Sequence, residues 1–132
     1  MPTDTNAVLE LTEENFGPSI NDKAFAIVDF WAPWCAPCRA FAPVFAAAAQ
    51  RHPDALFAKL NTQDQPAIAA HFNIRSIPTL MVFRDNIIVY AEPGALPAGE
   101  LEQVIAAARS LDMAQVRREI EKRDAADQPA SA

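Results

Sequence analysis

Ala26-Ile27-Val28-Asp29-Phe30-Trp31 leads through Ala32-Pro33 into Trp34-Cys35-Ala36-Pro37-Cys38, and this stretch decides how the rest of the chain is read. An apolar run of strand length ends just before the chain's only two cysteines, which stand three residues apart. The segment that follows, Arg39 to Gln50, is Ala-rich and reads as a helix, with Phe41, Phe45 and Ala48 recurring on one face. Residues at i and i+3 in a helical turn lie on one side, roughly 5–6 Å apart at Cβ. A disulfide needs about 3.5–4.5 Å, so a slightly adjusted first turn can hold the pair open or closed. Cys35 falls at the helix N-terminus, where unpaired N–H groups and the helix dipole favour a thiolate. Cys38 lies one turn in, on the apolar side, and is expected to be the more buried thiol. Pro37 suits a first turn, because its missing N–H would have no partner there.

Two other uses of the pair fit less well. A structural zinc site usually takes four Cys or His ligands, and only His52 and His71 could complete the set. The eighteen residues between those histidines far exceed the three to five of a finger's second pair. The histidines read instead as solvated or helix-end residues. A static disulfide over so short a loop would constrain the unfolded chain little.

The 132 residues suffice for one domain, and a hydrophobic fraction of 51% suffices for one core. Met1 to Leu11 lacks the basic region and long apolar run of a secretory signal, and no segment approaches the roughly 18 apolar residues of a membrane span. The expected compartment is therefore the cytoplasm, where a Cys-x-x-Cys pair is kept reduced. The formal charge of −6, with both signs interspersed, argues against nucleic acid as a partner.

Periodicity gives the order of elements. Val8 to Leu11 alternates as a short strand, and Thr12-Glu13-Glu14-Asn15 opens a short helix with Thr12 as its cap. Ala26 to Trp31 is a buried strand with one misfit, Asp29, since a carboxylate in such a run costs too much to bury without a role or partner. The helix after the cysteines is interrupted by Pro43, where a kink is expected. Leu56 to Asn61 is a strand, Pro66 to Phe72 a helix, and Thr79 to Phe83 a strand that turns at Arg84-Asp85-Asn86 into Ile87 to Tyr90. Leu101, Val104, Ile105 and Ala108 mark a further helix from Ala98. The result is an α/β order with a mixed sheet covered on both faces.

Four blocks of this sequence resemble the thioredoxin family over about Val8 to Ser110. Val28 to Cys38 is similar to the family's active-site block, Phe57 to Asn61 to its third-strand motif, Ile74 to Leu80 to its cis-proline loop, and Pro93-Gly94-Ala95-Leu96 to its last loop. The resemblance implies a thioredoxin fold, a five-stranded mixed sheet flanked by helices, with Cys35 exposed at a strand's carboxyl end. It also implies dithiol–disulfide exchange on disulfide-containing protein substrates, with no bound cofactor and recycling by an NADPH-dependent flavoprotein, thioredoxin reductase. Carried over residue by residue, Cys35 is the nucleophile and Cys38 the resolving thiol. Asp29 is the buried proton acceptor and donor, Lys59 its buried cationic neighbour, and Pro78 a cis proline facing Cys35. Trp34, Ala36, Pro37, Ile77, Gly94 and Ala95 match the rim that receives substrate, and Trp31 the indole packed beside it.

The chain departs from the family pattern at Ala36 and Ser76, where Gly is usual or frequent, at Asn86 in a turn, and at Pro93 beside the substrate groove. Asn tolerates a left-handed conformation, so Asn86 is compatible with its turn. Ala36 adds a methyl group to the contact surface, and Pro93 removes an N–H a bound chain could use. Beyond the family-like domain of residues 1–110, residues 111–132 form an extension. Asp112 with Gln115 is a capping pattern, Arg117 with Glu121 and Glu119 with Arg123 are spaced as ion pairs, and Met113, Val116 and Ile120 share a face. A last helix to about Arg123 is expected, then a disordered tail. Two function classes follow: a reducing enzyme, or a chaperone-like module that holds client proteins with incidental redox activity. Steady-state disulfide reduction with and without the recycling reductase separates them.

Overall fold

The computed structural model describes residues 7–127. Five strands form one mixed sheet in the order β1-β3-β2-β4-β5, with β1 Val8–Glu10, β2 Phe25–Trp31, β3 Leu56–Asn61, β4 Thr79–Arg84 and β5 Ile87–Pro93. β3 runs parallel to β1 and β2, whereas β4 is antiparallel to β2 and β5. The central strand β2 is buried on both faces, which explains why it reads as a continuous apolar run.

Alternation along the strands divides the core in two. Ile27, Phe57, Leu80 and Val82 face Phe41 and Phe45 of α2 (Ala36–Arg51) and Leu101 and Ile105 of α4 (Ala98–Arg109). Val28, Phe30, Leu60 and Met81 face the other way, toward Ile20 of α1 (Phe16–Asn21) and the half-buried Ile68 and Phe72 at α3 (Pro66–His71). The β4–β5 hairpin turns through Asp85 and Asn86, with φ of 52° and 68°. Both sit in the left-handed region that Asp and Asn tolerate better than most residues.

Several expectations need correction. Thr12, by contrast, holds as the cap of the turn that opens α1: its hydroxyl accepts the Asn15 N–H at 3.3 Å, its own N–H donates to Asn15 Oδ1 at 2.7 Å, and its carbonyl accepts the Phe16 N–H at 3.0 Å. The regular helix follows from Phe16. Strand β5 continues past Tyr90 to Pro93, because pairing to β4 holds as far as Thr79. Helix α5 (Met113–Asp127) outlasts Arg123, so Asp124 to Asp127 are helical; residues 128–132 lie outside the described part. Arg117 reaches across to Asp85 at 3.0 Å instead of pairing with Glu121, and no Glu119–Arg123 ion pair forms among the described residues. The cap of α5 is as read, since Asp112 Oδ1 accepts the N–H groups of Ala114 and Gln115 at 3.1 and 3.3 Å.

The sheet has two poles. β2 ends toward Cys35, while its first residue, Phe25, pairs with Arg84 beside the β4–β5 turn. The Arg117–Asp85 contact therefore anchors α5 at the pole opposite the cysteines.

Candidate active site

Cys35 is the N-cap of α2, with extended backbone angles of −90° and 113°. Its sulfur accepts the Cys38 N–H at 3.2 Å, meeting one donor that the helix start leaves unpaired. Pro37 removes another such donor, which is why this sequence can begin a helix here. The two cysteines are joined as a disulfide with a Cα–Cα distance of 5.2 Å. Neither histidine is near a metal arrangement. His52 caps the end of α2 and bonds Glu102 at 2.8 Å, and His71 ends α3. Among the described residues, no group of three or more His, Cys, Asp or Glu side chains could hold a metal ion.

The cis-proline loop closes the site from the other side. The Ile77–Pro78 peptide bond is cis, and the Ile77 carbonyl oxygen lies 3.8 Å from Cys35 Sγ. In the disulfide that sulfur carries no proton, so this is a packing contact; after reduction the thiol can donate to the carbonyl. Pro78 O accepts the N–H of Gly94 at 2.8 Å, tying the loop to the end of β5. Gly94 has φ of 112°, a conformation that side chains disfavour, so Gly is required for this tie.

Exposure of the dithiol differs from the expectation. Cys35 is only 5% exposed and Cys38 1%, so the order is as read but neither sulfur stands open. The capping bond and the Ile77 carbonyl cover Cys35. What solvent meets is the apolar rim: Trp34 at 68%, with Ala36, Pro37, Gly94 and Ala95 also exposed and Ile77 half-buried. Arg39, just inside α2, donates to Pro33 O at 2.8 Å and braces the loop that carries Trp34. The bare sequence gave no signal for that brace.

On β2, Asp29 is 3% exposed, shares the strand face of Ile27 that packs against α2, and is in register with Lys59. Its Oδ1 has no hydrogen-bond partner. Burial pushes its pKa from 3.8 up to about 7, against the opposing pull of the Lys59 charge. Lys59 is half-buried rather than buried, and no ion pair to Asp29 forms among the described residues. Its ammonium instead lies 5.1 Å from the centroid of the Trp31 ring.

Residues 7–107 match the thioredoxin family model. The chain belongs to the thioredoxin family. It is 47% identical over 119 residues to the putative thioredoxin 2 of Streptomyces coelicolor, covering 90% of this chain and 89% of that protein. It is 43% identical over 101 residues to the thioredoxin of Porphyra purpurea, covering 75% of this chain and 94% of that one. Among solved structures, a mutant thioredoxin from Halobacterium salinarum superposes with a TM-score of 0.74 at 26% identity, over 84% of this chain and 98% of that one. A chain from a study of thiol resolution in a yeast mitochondrial 1-Cys peroxiredoxin via glutathione and thioredoxin systems gives 0.71 at 26% identity, over 77% and 96%. The Streptomyces match is too long to fit within the first 110 residues, so it includes part of the extension. Family membership and the Cys35–Cys38 pair make this protein a dithiol–disulfide oxidoreductase that acts on protein disulfides. The family's chemistry runs on the cysteine pair itself and requires no bound cofactor. No helix among the described residues is long and apolar enough to cross a membrane.

Proposed function

We propose that this protein works as a reductant of client disulfides in the cytoplasm, recharged by an NADPH-dependent flavoprotein of the thioredoxin reductase kind. Residues 1–110 form the catalytic domain and residues 111–132 an accessory extension. The Cys35 thiolate attacks one sulfur of the client disulfide. A Cys35–client S–S bond forms, the client S–S bond breaks, and one client thiolate leaves. The Cys38 thiolate then attacks Cys35 Sγ, forming the intramolecular disulfide and expelling the second client thiolate. Two electrons have passed from the protein to the client. Asp29 takes the Cys38 proton, and a carboxyl raised to about 7 accepts it near neutral pH. Lys59 limits that rise by its charge. Trp34, Ala36, Pro37, Ile77, Pro78, Gly94 and Ala95 receive the client chain, whose backbone pairs with that of Ile77 as an added strand.

The observation that carries this reading is the asymmetry of the two sulfurs. Cys35 caps α2 and faces the Ile77 carbonyl, whereas Cys38 lies one turn deeper. A neighbouring solved structure concerned with a peroxiredoxin's thiol resolution supports oxidised protein cysteines as the client class. The test is trapping with a model client disulfide. Cys38→Ser should accumulate a mixed disulfide through Cys35, and Cys35→Ser should accumulate none. Trapping by Cys35→Ser alone would reverse the roles and overturn the reading.

A further inference from the structure

Two of the chain's departures from its family, Ser76 and Pro93, meet in one hollow of 200 Å³ beside the cis-proline loop. Arg75 and Ser76 form one wall and Ala91 and Pro93 the other, with Thr79 and Met81 between them. The register Thr79↔Pro93 and Met81↔Ala91 places these four on one face of the sheet. Thr79 and Met81 are buried, and the Thr79 hydroxyl is already committed to Ser76 O at 2.6 Å. The floor therefore offers a methyl group and a thioether rather than free polar groups.

The hollow adjoins the cis-proline loop, where the reading above places the client, since its lining includes the residues on either side of Ile77 and Pro78. Ser76 and Thr79 bracket Ile77 and Pro78, and the Ile77 carbonyl is 3.8 Å from Cys35 Sγ. A client chain bonded to Cys35 thus passes within a residue or so of the mouth. Its charge is also defined. Arg75 is exposed and forms no ion pair among the described residues, although the protein as a whole carries a charge of −6. Glu92, the nearest carboxylate in sequence on β5, alternates to the opposite face, where it acts on Tyr90. No acidic residue lines the hollow.

We infer that this hollow is a side-chain subsite that favours client disulfides carrying an acidic residue beside the attacked cysteine. The Ala91–Pro93 wall and the Met81 floor take the stem of a Glu side chain, and Arg75 on the facing wall meets its carboxylate. Pro93, lacking an N–H, leaves that stem no competing backbone donor on its wall. The inference rests on the reductase reading given above.

The test uses full-length reduced protein and peptide disulfides with Gly, Glu or Lys placed one or two residues before or after the attacked cysteine. The readout is the second-order rate of reduction. At one position Glu should react about 2- to 5-fold faster than Lys at low salt, the size of an exposed charge pair, and the gap should narrow at high salt. Arg75→Gln should remove the Glu-to-Lys ratio. Ala91→Leu, which fills the hollow from an exposed strand position, should slow the Glu peptide relative to the Gly peptide. An equal ratio in wild type and Arg75→Gln would overturn the subsite, as would Ala91→Leu slowing Gly and Glu alike. Failure to reduce even the Gly peptide would overturn the reductase reading and the subsite with it. Reduction of every peptide at one rate would overturn the subsite alone.

Discussion

Asp29 and Lys59 are register partners on β2 and β3, yet the lysine ammonium lies over the Trp31 ring and leaves the carboxylate without an ion pair among the described residues. Desolvation therefore dominates at Asp29, and the charge of Lys59 only moderates it.

That imbalance fixes a sign for stability against pH. The carboxyl titrates at about 7 in the folded protein and near 3.8 in the unfolded chain, so the folded state holds its proton more tightly. The associated stability is complete below the unfolded value and is lost as pH rises through the folded one. The loss should amount to about 4 kcal/mol at most by pH 8, from 1.36 kcal/mol per pKa unit. Asp29→Asn removes the titration, so urea unfolding should find it more stable than wild type at pH 8 and little different at pH 4. The same variant should slow closure of the Cys38 disulfide by on the order of 100-fold, the weak end of what a positioned base supplies. A variant that is less stable at pH 8 and fully active would contradict both expectations.

Thiol chemistry should follow the capping geometry. In the reduced protein Cys35 remains at the α2 N-terminus, beside the Cys38 N–H, while Cys38 lies deeper. Limited alkylation at neutral pH, read by mass spectrometry, should label Cys35 first and by roughly 10-fold or more, since only the thiolate reacts. Equal labelling of the two cysteines would show that the cap does not separate them.

What the sequence made legible follows from how local each signal is. The strands, the hairpin turn and the helices α2 and α4 were readable because their periodicity is strong and their caps are adjacent in sequence. Thr12 was legible for the same reason: its capping partner Asn15 lies three residues on, and the two side chains bond each other's backbone N–H. The Arg117 contact was not legible: an i,i+4 partner was present, but Asp85, 32 positions away in sequence, was the one it met. At the site, residue identities were legible through the family blocks. The burial of Cys35, the position of Lys59 over Trp31 and the Arg39 brace were not, because each depends on which loop lies opposite.

The redox potential should be on the reducing side. Thioredoxin itself stands at about −270 mV. Between the cysteines lie only Ala36 and Pro37, both exposed and uncharged, so nothing there stabilises the Cys35 thiolate beyond the helix start. Equilibration with glutathione should place the protein within about 30 mV of that reference. A value near about −120 mV would instead mark a disulfide-forming oxidant.

The extension beyond Ser110 should be dispensable for chemistry, because it is fixed at the far pole of the sheet. Met113 is its buried anchor, Val116 and Ile120 are half-buried, and Arg117 holds Asp85 at the β4–β5 turn, whereas Cys35 follows the opposite end of β2. Removing it exposes what Met113 covers, worth about 2 kcal/mol, while the surface ion pair adds at most about 1 kcal/mol. A chain ending at Ser110 should unfold at lower urea concentration yet reduce a generic protein disulfide at close to the full-length rate. The remaining turns, Glu121 to Ala126, are exposed throughout, so they contribute little to that stability difference. Loss of most of the activity in a truncation that still folds would place part of the extension in the catalytic machinery and contradict the two-pole arrangement.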